Sequence, residues 1–305
     1  MNPDTTHGYR GRFAPTPSGP LHFGSMTAAI GSYCDARAYG GQWQVRIDDI
    51  DTPRVVSGAA DLILRTLEAF SLEWDGQPVY ESRNREAFHN ALHALRASGR
   101  LFACACSRRD IGKAGWPGLE GPVYPGTCRN GLPPGKNGRS LRLRIEDGTT
   151  IGFDDLLQGH VQQDLAAQIG DFIVYRADGI FSYHLTCVVG DGHQGITHVV
   201  RGADLIDSTP RQIHLQHLLD LPTPSYLHLP VATNERGEKL SKQTGATAVE
   251  TARAAQSIHA VLRFLGQEPP PELARWPAAE AMQWAVNAWR RERIPRAAAV
   301  EMPLP

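Results

Sequence analysis

The stretch that decides the fold is Arg12-Phe13-Ala14-Pro15-Thr16-Pro17-Ser18-Gly19-Pro20-Leu21-His22-Phe23-Gly24-Ser25. It reads as a short strand from Tyr9 to Ala14, a turn stiffened by proline, and then a helix. Its glycines let the backbone come close to a ligand. Met26 to Tyr39 has no proline and is rich in alanine, and Gly40-Gly41 ends it. A helix starting near Gly24 aims its free N–H groups and positive dipole end at the turn, which suits an anion. His22 stands at that mouth as a hydrogen-bond donor. The outline is that of a phosphate site. It is not a P-loop, because no Gly-Lys-Ser/Thr follows.

Outward from this stretch, Gln42 to Asp48 alternates as a strand that ends in acid. Strand, helix and strand at this spacing form a βαβ unit and predict an α/β fold with a parallel sheet. Ligands of such sheets lie beyond the carboxyl ends of the strands, the edge occupied by both Arg12–Ser25 and Asp48–Arg54. The run Asp48-Asp49-Ile50-Asp51 offers carboxylates at that edge, as a solvated helix cap or as a site for an ammonium group. Val55 to Phe70 predicts an amphipathic helix, and Arg83 to Ser98 another, stopped by Gly99.

Further on, Ser140 to Glu146 alternates as a strand, and Asp154 to Leu165 reads as polar and turn-rich. Asp171–Arg176 and Phe181–Val189 flank the turn Ala177-Asp178-Gly179. The β-branched content of the second segment favours a strand, but a helix stays open there. Gly195 to Leu205 predicts a buried strand with Arg201 at its end, and Pro210 to Leu219 a helix. After Ser257 the chain turns helical. Ile258, Val261, Leu262 and Leu265 share one face, and Ala281, Trp284, Ala285, Ala288 and Trp289 another.

With 31 basic and 32 acidic residues in 305, the chain carries a net charge of −1, which argues against a general polyanion binder. A local basic face for RNA remains compatible with that balance. The apolar share, 41%, is enough for a real core. There is no signal-peptide pattern and no apolar run of membrane-spanning length. Five cysteines, an odd number unevenly spread, fit a reducing compartment, so a soluble cytoplasmic protein is expected.

Leu101 to Gly138 is rich in glycine and proline and poor in large apolar residues, so burial alone cannot hold it together. It contains Cys104, Cys106 and Cys128, three thiolates toward a tetrahedral zinc site. Spacing leaves the fourth ligand open among Tyr124, Asp110, Glu120 and water. Four protein ligands would make the zinc structural, with no open position for chemistry.

These motifs together carry a resemblance. His22-Phe23-Gly24-Ser25 resembles the "HIGH" motif of class I aminoacyl-tRNA synthetases, with Ser25 in place of the second histidine. About two hundred residues later, Lys239-Leu240-Ser241-Lys242-Gln243 is similar to the "KMSKS" loop, in the order that class requires. Arg46-Ile47-Asp48-Asp49-Ile50-Asp51 resembles the "RIEDTD" run of glutamyl-tRNA synthetases, with Asp48 where those have Glu. Tyr183 to Asp191 and Ile196 to Asp204 resemble their "Y-x-x-x-x-V-V-x-D" and "ITHV-[IV]-RG-x-D" segments. The Cys-x-Cys and Tyr-x-x-x-Cys pattern is similar to the zinc site of glutamyl-queuosine tRNA(Asp) synthetases, which implies Tyr124 as fourth ligand.

The resemblance covers about residues 9–245 and implies a Rossmann-type catalytic domain with a zinc-bearing insertion and a short helical C-terminal part. The expected divisions are 1–100 and 141–222 for the catalytic halves with the acceptor-side insertion, 101–140 for the zinc insertion, and 223–305 for the KMSKS region and last helices. It implies ATP with Mg²⁺, L-glutamate and queuosine-bearing tRNA(Asp) as partners, with no membrane and no obligate protein partner. His22 and Lys242 are the expected catalytic residues, and Gly24, Lys239 and Ser241 join them at ATP. Arg12, Phe13, Ala14, Pro15, Thr16, Asp48, Tyr183 and Arg201 are expected around glutamate. Arg12 and Arg201 would offer planar forks to carboxylates, and Asp48 would meet the ammonium. The chain has no room after these motifs for the anticodon-reading helical domain of glutamyl-tRNA synthetases. Two other functions stay in view: a truncated glutamyl-tRNA synthetase charging the 3′ end, and a non-catalytic zinc-bearing RNA-binding module.

Overall fold

The computed structural model describes residues 8–240 and 248–302; Ser241 and Lys242 lie outside them. The opening unit forms as expected: β1 (Arg10–Phe13), α1 (Phe23–Ala38) and β2 (Gln42–Ile47), with β1 and β2 parallel and Arg12 opposite Gln44. Helix α1 sits tightly on the sheet because its inner face is small. A Cβ on Gly31 would come within 2.5 Å of Leu229. The next helix, α2 (Ala59–Ala69), starts at Ala59 rather than Val55. Gly58 ahead of it takes φ +74°, a left-handed turn that breaks the pattern and leaves Val55 and Val56 exposed. Then β3 (Val79–Tyr80) joins β2 in parallel, and α3 (Arg85–Ala97) follows.

The insertion begins with β4 (Leu101–Cys104), α4 (Arg108–Ala114) and a small ribbon, β5 (Pro117–Gly118) with β6 (Gly121–Pro122). Strand β7 (Ser140–Leu143) pairs antiparallel with β4 on one side and with β10 (Ile173–Tyr175) on the other. Between β7 and β10 the chain makes an antiparallel hairpin, β8 (Thr150–Asp155) and β9 (Gly159–Asp164), where sequence suggested only polar turns. The turn is short because the Asp155 carboxylate accepts from the N–H groups of Leu157 (3.0 Å) and Gln158 (2.9 Å). One helical turn, α5 (Leu165–Gln168), leads into β10.

The segment left open is a helix, α6 (Tyr183–His193). Ser182 caps it, its Oγ accepting from Leu185 N–H at 3.4 Å, and burial of Val188 and Val189 outweighs their strand preference. Strands β11 (His198–Gly202) and β12 (Ser225–Leu229) are parallel, with α7 (Thr209–Leu218) between them in sequence. Thr197 N–H donates to the Arg10 carbonyl (2.9 Å) and brings β11 beside β1. Strand β13 (Val231–Thr233) pairs with β14 (Ala299–Glu301), and α8 (Ala254–Phe264) and α9 (Ala278–Ala288) lie between. Ile258, Val261, Leu262 and Leu265 share one core with Met26, Ile30 and Leu229, so the last helices pack on α1. A second core joins Phe88, Leu143, Val174, Phe181 and Leu185. Among the described residues no helix is long and apolar enough to cross a membrane.

Candidate active site

A cavity of about 250 Å³ opens at the carboxyl ends of β1, β2, β11 and β12, over the start of α1. Arg12, Asp48, Tyr183, Arg201, His22 and Lys239 all line it. Residues up to 228 positions apart in sequence therefore meet at one rim, Arg12 being the first and Leu240 the last. Phe13, Ala14, Gly24 and Ser25 complete the floor on the α1 side. Pro15 and Thr16 do not line it. Pro15 acts through its backbone instead, its carbonyl accepting from Asp48 N–H (3.0 Å) and tying the ends of β1 and β2 together.

The charges are arranged before any ligand arrives. Arg12 is 4% exposed and donates from Nε and Nη2 to Asp191 (3.1 and 3.4 Å). Arg46 donates to the same Asp191 from Nη1 (2.5 Å) and to Asp48 from Nε (2.7 Å). Asp191 thus ties β1 and β2 to α6. Burial would raise its carboxyl, but Arg12 and Arg46 outweigh burial and hold it at about 2. Asp48 goes the other way: burial wins over Arg46 and raises it. Glu81, 3.8 Å from Arg46, is raised to about 9, by burial first and by Asp48 second.

Arg201 is held as firmly. Its Nε donates to His228 Nε2 (3.1 Å), and its Nη2 to Thr209 Oγ1 and Gln212 Oε1 (both 2.8 Å). His228 in turn meets Asp155 through Nδ1 at 2.6 Å. Because His228 Nε2 accepts, its proton sits on Nδ1, facing the carboxylate. Arg201 Nη1 lies 3.4 Å from the Tyr183 hydroxyl, at the cavity. Both arginines commit Nε and Nη2 to protein partners, and Arg201 Nη1 also donates to the Tyr183 hydroxyl, so both guanidiniums are oriented by the protein itself.

At the helix mouth, His22 is the N-cap of α1: Nδ1 accepts from Ser25 N–H (3.4 Å) while Nε2 meets Ser25 Oγ (3.1 Å). Ser25, the departure from the histidine motif, is thus what holds the His22 ring. A Cβ on Gly24 would sit 3.4 Å from that ring and 3.7 Å from the Leu240 carbonyl, so the two motifs approach each other there. Lys239 pairs with Asp204, Leu240 N–H donates to the Ala232 carbonyl (2.8 Å), and Ala248 bridges back to His22. Leu240, just before 241–247, lines the cavity, and Ala248, just after it, bridges to His22, which also lines it.

In the insertion, the sulfurs of Cys104, Cys106 and Cys128 all lie within 4.8 Å of one another. Cys106 and Cys128 are 3.7 Å apart, and the Tyr124 oxygen is 3.6 Å from Cys104 and 3.9 Å from Cys106. A tetrahedron with metal–sulfur bonds of about 2.3 Å has edges of about 3.8 Å, so the donor set fits zinc in chemistry and size. Arg142 Nε donates to Cys104 Sγ (3.3 Å). Burial would raise the Cys104 thiol, but the Arg142 and Tyr124 hydrogen bonds bring it below its usual range. Asp110 and Glu120, the other ligands that spacing left open, are committed elsewhere, to the Ser107 cap and to Arg211.

Three participants escaped the sequence reading. Arg46 and Asp191 stand inside motifs singled out above, with no role of their own assigned there. His228 had no local signal, since its role depends on a strand register that places it opposite Arg201.

Residues 9–264 match the family described as tRNA synthetases class I (E and Q), catalytic domain. A glutamyl-Q tRNA(Asp) synthetase of Aromatoleum aromaticum is 52% identical over 99% of this chain and 96% of its own. One from Dechloromonas aromatica is 54% identical over 97% of this chain and 98% of its own. Among solved structures, a glutamate-tRNA synthetase from Elizabethkingia anophelis superposes with a TM-score of 0.80 at 20% identity, covering 97% of this chain and 68% of that one. That likeness establishes a class I synthetase fold. With relatives about half identical over nearly its whole length, the chain belongs to the glutamyl-Q tRNA(Asp) synthetase family and is a ligase of the class I synthetase type.

Proposed function

We propose that this ligase activates L-glutamate with ATP and Mg²⁺ to glutamyl-adenylate, without tRNA, and passes the glutamyl group to the queuosine base in the anticodon of tRNA(Asp). The observation that carries the chemistry is the convergence of Arg12, Asp48, Tyr183 and Arg201 on one cavity beside the mouth of α1. Glutamate brings two carboxylates and one ammonium. Arg12 Nη1, Arg201 Nη1 and the Tyr183 hydroxyl supply donors for the carboxylates, and Asp48 receives the ammonium. Glutamine is rejected because its amide NH₂ would face a guanidinium, which has donors only. The names of the relatives support the acceptor.

In the activation step the α-carboxylate oxygen attacks the α-phosphorus of ATP, and pyrophosphate leaves. Catalysis is mostly positioning and charge stabilisation. His22 caps α1 at the phosphate end, and its Nε2–H, shared with Ser25 Oγ in this structure, turns to the phosphates when ATP is bound, while Gly24 lets them approach. Lys239, at the cavity, and Ser241 and Lys242 of the same motif bring hydrogen bonds and charge to the phosphates. Zinc held by Cys104, Cys106, Cys128 and Tyr124 staples the insertion and takes no part in the reaction.

The test is pyrophosphate exchange by the purified protein with glutamate, glutamine and aspartate, each without tRNA, then transfer to tRNA(Asp) with and without queuosine. Exchange with glutamate alone and transfer only to the modified tRNA are expected. Equal transfer to tRNA lacking queuosine would move the acceptor to the 3′ end, and absent exchange would leave a non-catalytic module.

A further inference from the structure

A second cavity, about 540 Å³, lies between the cysteine-bearing insertion and helices α6 and α7. Arg108, Glu120 and Tyr124 line it from the insertion, and Phe172, His184 and Arg211 from the body. Two buried polar atoms there have no hydrogen-bond partner, Arg211 Nε and His184 Nδ1. Arg211 is 5% exposed, and its two terminal nitrogens already grip the Glu120 carboxylate, Nη1 at 2.7 Å from Oε2. Its Nε–H is the donor that remains. Burial, then the nearby charges of Arg211 and Arg201, keep His184 neutral. Folded proteins seldom keep such groups unpaired, so a bound molecule or water is called for.

The position of this cavity matters as much as its lining. His184 follows Tyr183, and the two rings are 5.6 Å apart between centroids. Tyr183 lines the first cavity and His184 the second, so one pair of rings stands between them. A molecule held against His184 would be next door to glutamate. The chemistry of the walls favours a neutral heterocycle over an anion. Of the three arginines lining it, Arg211 is neutralised by Glu120, buried Arg142 donates to Cys104 Sγ and the Asp171 carbonyl, and Arg108 stands exposed at the rim; the Asp171 carboxyl also lines the space. Phe172 and Tyr124 provide flat apolar surface. Arg211 Nε–H asks for an acceptor, and a neutral imidazole beside it takes a donor or supplies one. An amide-like base edge, with a carbonyl next to an N–H, meets both requirements.

We infer that this second cavity receives the base of the nucleoside that accepts glutamate, with His184 and Arg211 reading its amide-like edge. The inference rests on the acceptor chemistry proposed above. The test uses the full chain with His184→Phe, His184→Asn and Arg108→Glu, and queuosine-bearing tRNA(Asp) as probe. His184→Phe should raise the KM for tRNA in the transfer step on the order of tenfold and leave pyrophosphate exchange within about twofold. His184→Asn keeps a polar atom near the Nδ1 position and should recover most of the loss. Arg108→Glu, at the exposed rim, should also raise the KM, and it decides the matter if His184→Phe does not fold. Wild-type transfer by both His184→Phe and Arg108→Glu would overturn the inference. So would a folded His184→Phe that loses exchange, since His184 would then belong to the glutamate site. A wild-type protein that exchanges but never glutamylates this tRNA sinks the acceptor reading itself, whatever the variants do.

Discussion

Arg12 commits two guanidinium nitrogens and Arg201 three to carboxylate, amide, hydroxyl or imidazole partners, whereas Cys104, Cys106 and Cys128 meet chiefly one another, Tyr124 and Arg142. The first region is organised by charges the chain supplies itself. The second gathers electron-rich donors around a point, an arrangement that gains its strength when a cation joins it. The two regions should therefore fail under different treatments. Removing a counter-charge should damage the cavity and spare the insertion. Removing metal should do the reverse.

Asp191→Ala is the harshest way to break this comparison. It leaves Arg12 and Arg46 buried without the carboxylate they share, at a cost of about 3–5 kcal/mol. Urea unfolding should show that loss and glutamate-dependent exchange should vanish, while metal content stays unchanged. A variant of normal stability would mean that the charges do not hold the cavity together. Metal removal comes next. Chelation, or Cys128→Ser, should speed proteolysis within residues 101–138 and change the glutamate KM in exchange by less than about twofold, because well-separated sites act independently. If exchange collapses instead, the two regions are coupled. Ser25→Ala is milder. It removes the hydroxyl 3.1 Å from His22 Nε2 and should slow exchange roughly fivefold, the value of one hydrogen bond of about 1 kcal/mol. An unchanged rate would show that His22 needs no restraint at that atom.

How much of this was legible beforehand depended on whether the cause was local. The βαβ unit was readable because proline, glycine and alternation act over a few residues, and Arg12, Asp48 and Arg201 followed from strand ends. The hairpin at Thr150–Asp164 was missed because its turn is made by one side chain, Asp155, bonding forward to two backbone groups. The start of α2 was misplaced because apolar periodicity continues through a glycine that only the backbone reveals to be left-handed. The protein partners of the Arg12 and Arg201 guanidiniums were not legible for a third reason. Asp191 and His228 reach them across the fold, from 179 and 27 residues away, and spacing carries no trace of such partners.

The same cluster of charges makes a finer test through pH. Asp191 is held near 2 against an ordinary value of 3.8, so its contribution to stability is complete above 3.8 and lost as pH falls toward 2. Glu81 has the opposite sign. Its folded value of about 9 lies above the ordinary 4.5, so between those values the folded state keeps a proton that the unfolded chain gives up. Stability should then fall as pH rises through that window. Glu81→Gln resembles the protonated acid, so exchange near neutral pH should barely change. What should change is the slope: urea midpoints at pH 5 and pH 8.5 should differ less in the variant than in the parent. A slope that survives Glu81→Gln would place the proton on Asp48, whose charge is one of the causes that raise Glu81. Asp48→Asn separates the two cases, because it should flatten the slope only if Asp48 holds the proton or forces it onto Glu81. In the second case Glu81→Gln flattens it as well, so the pair of variants identifies which carboxyl stays neutral beside Arg46.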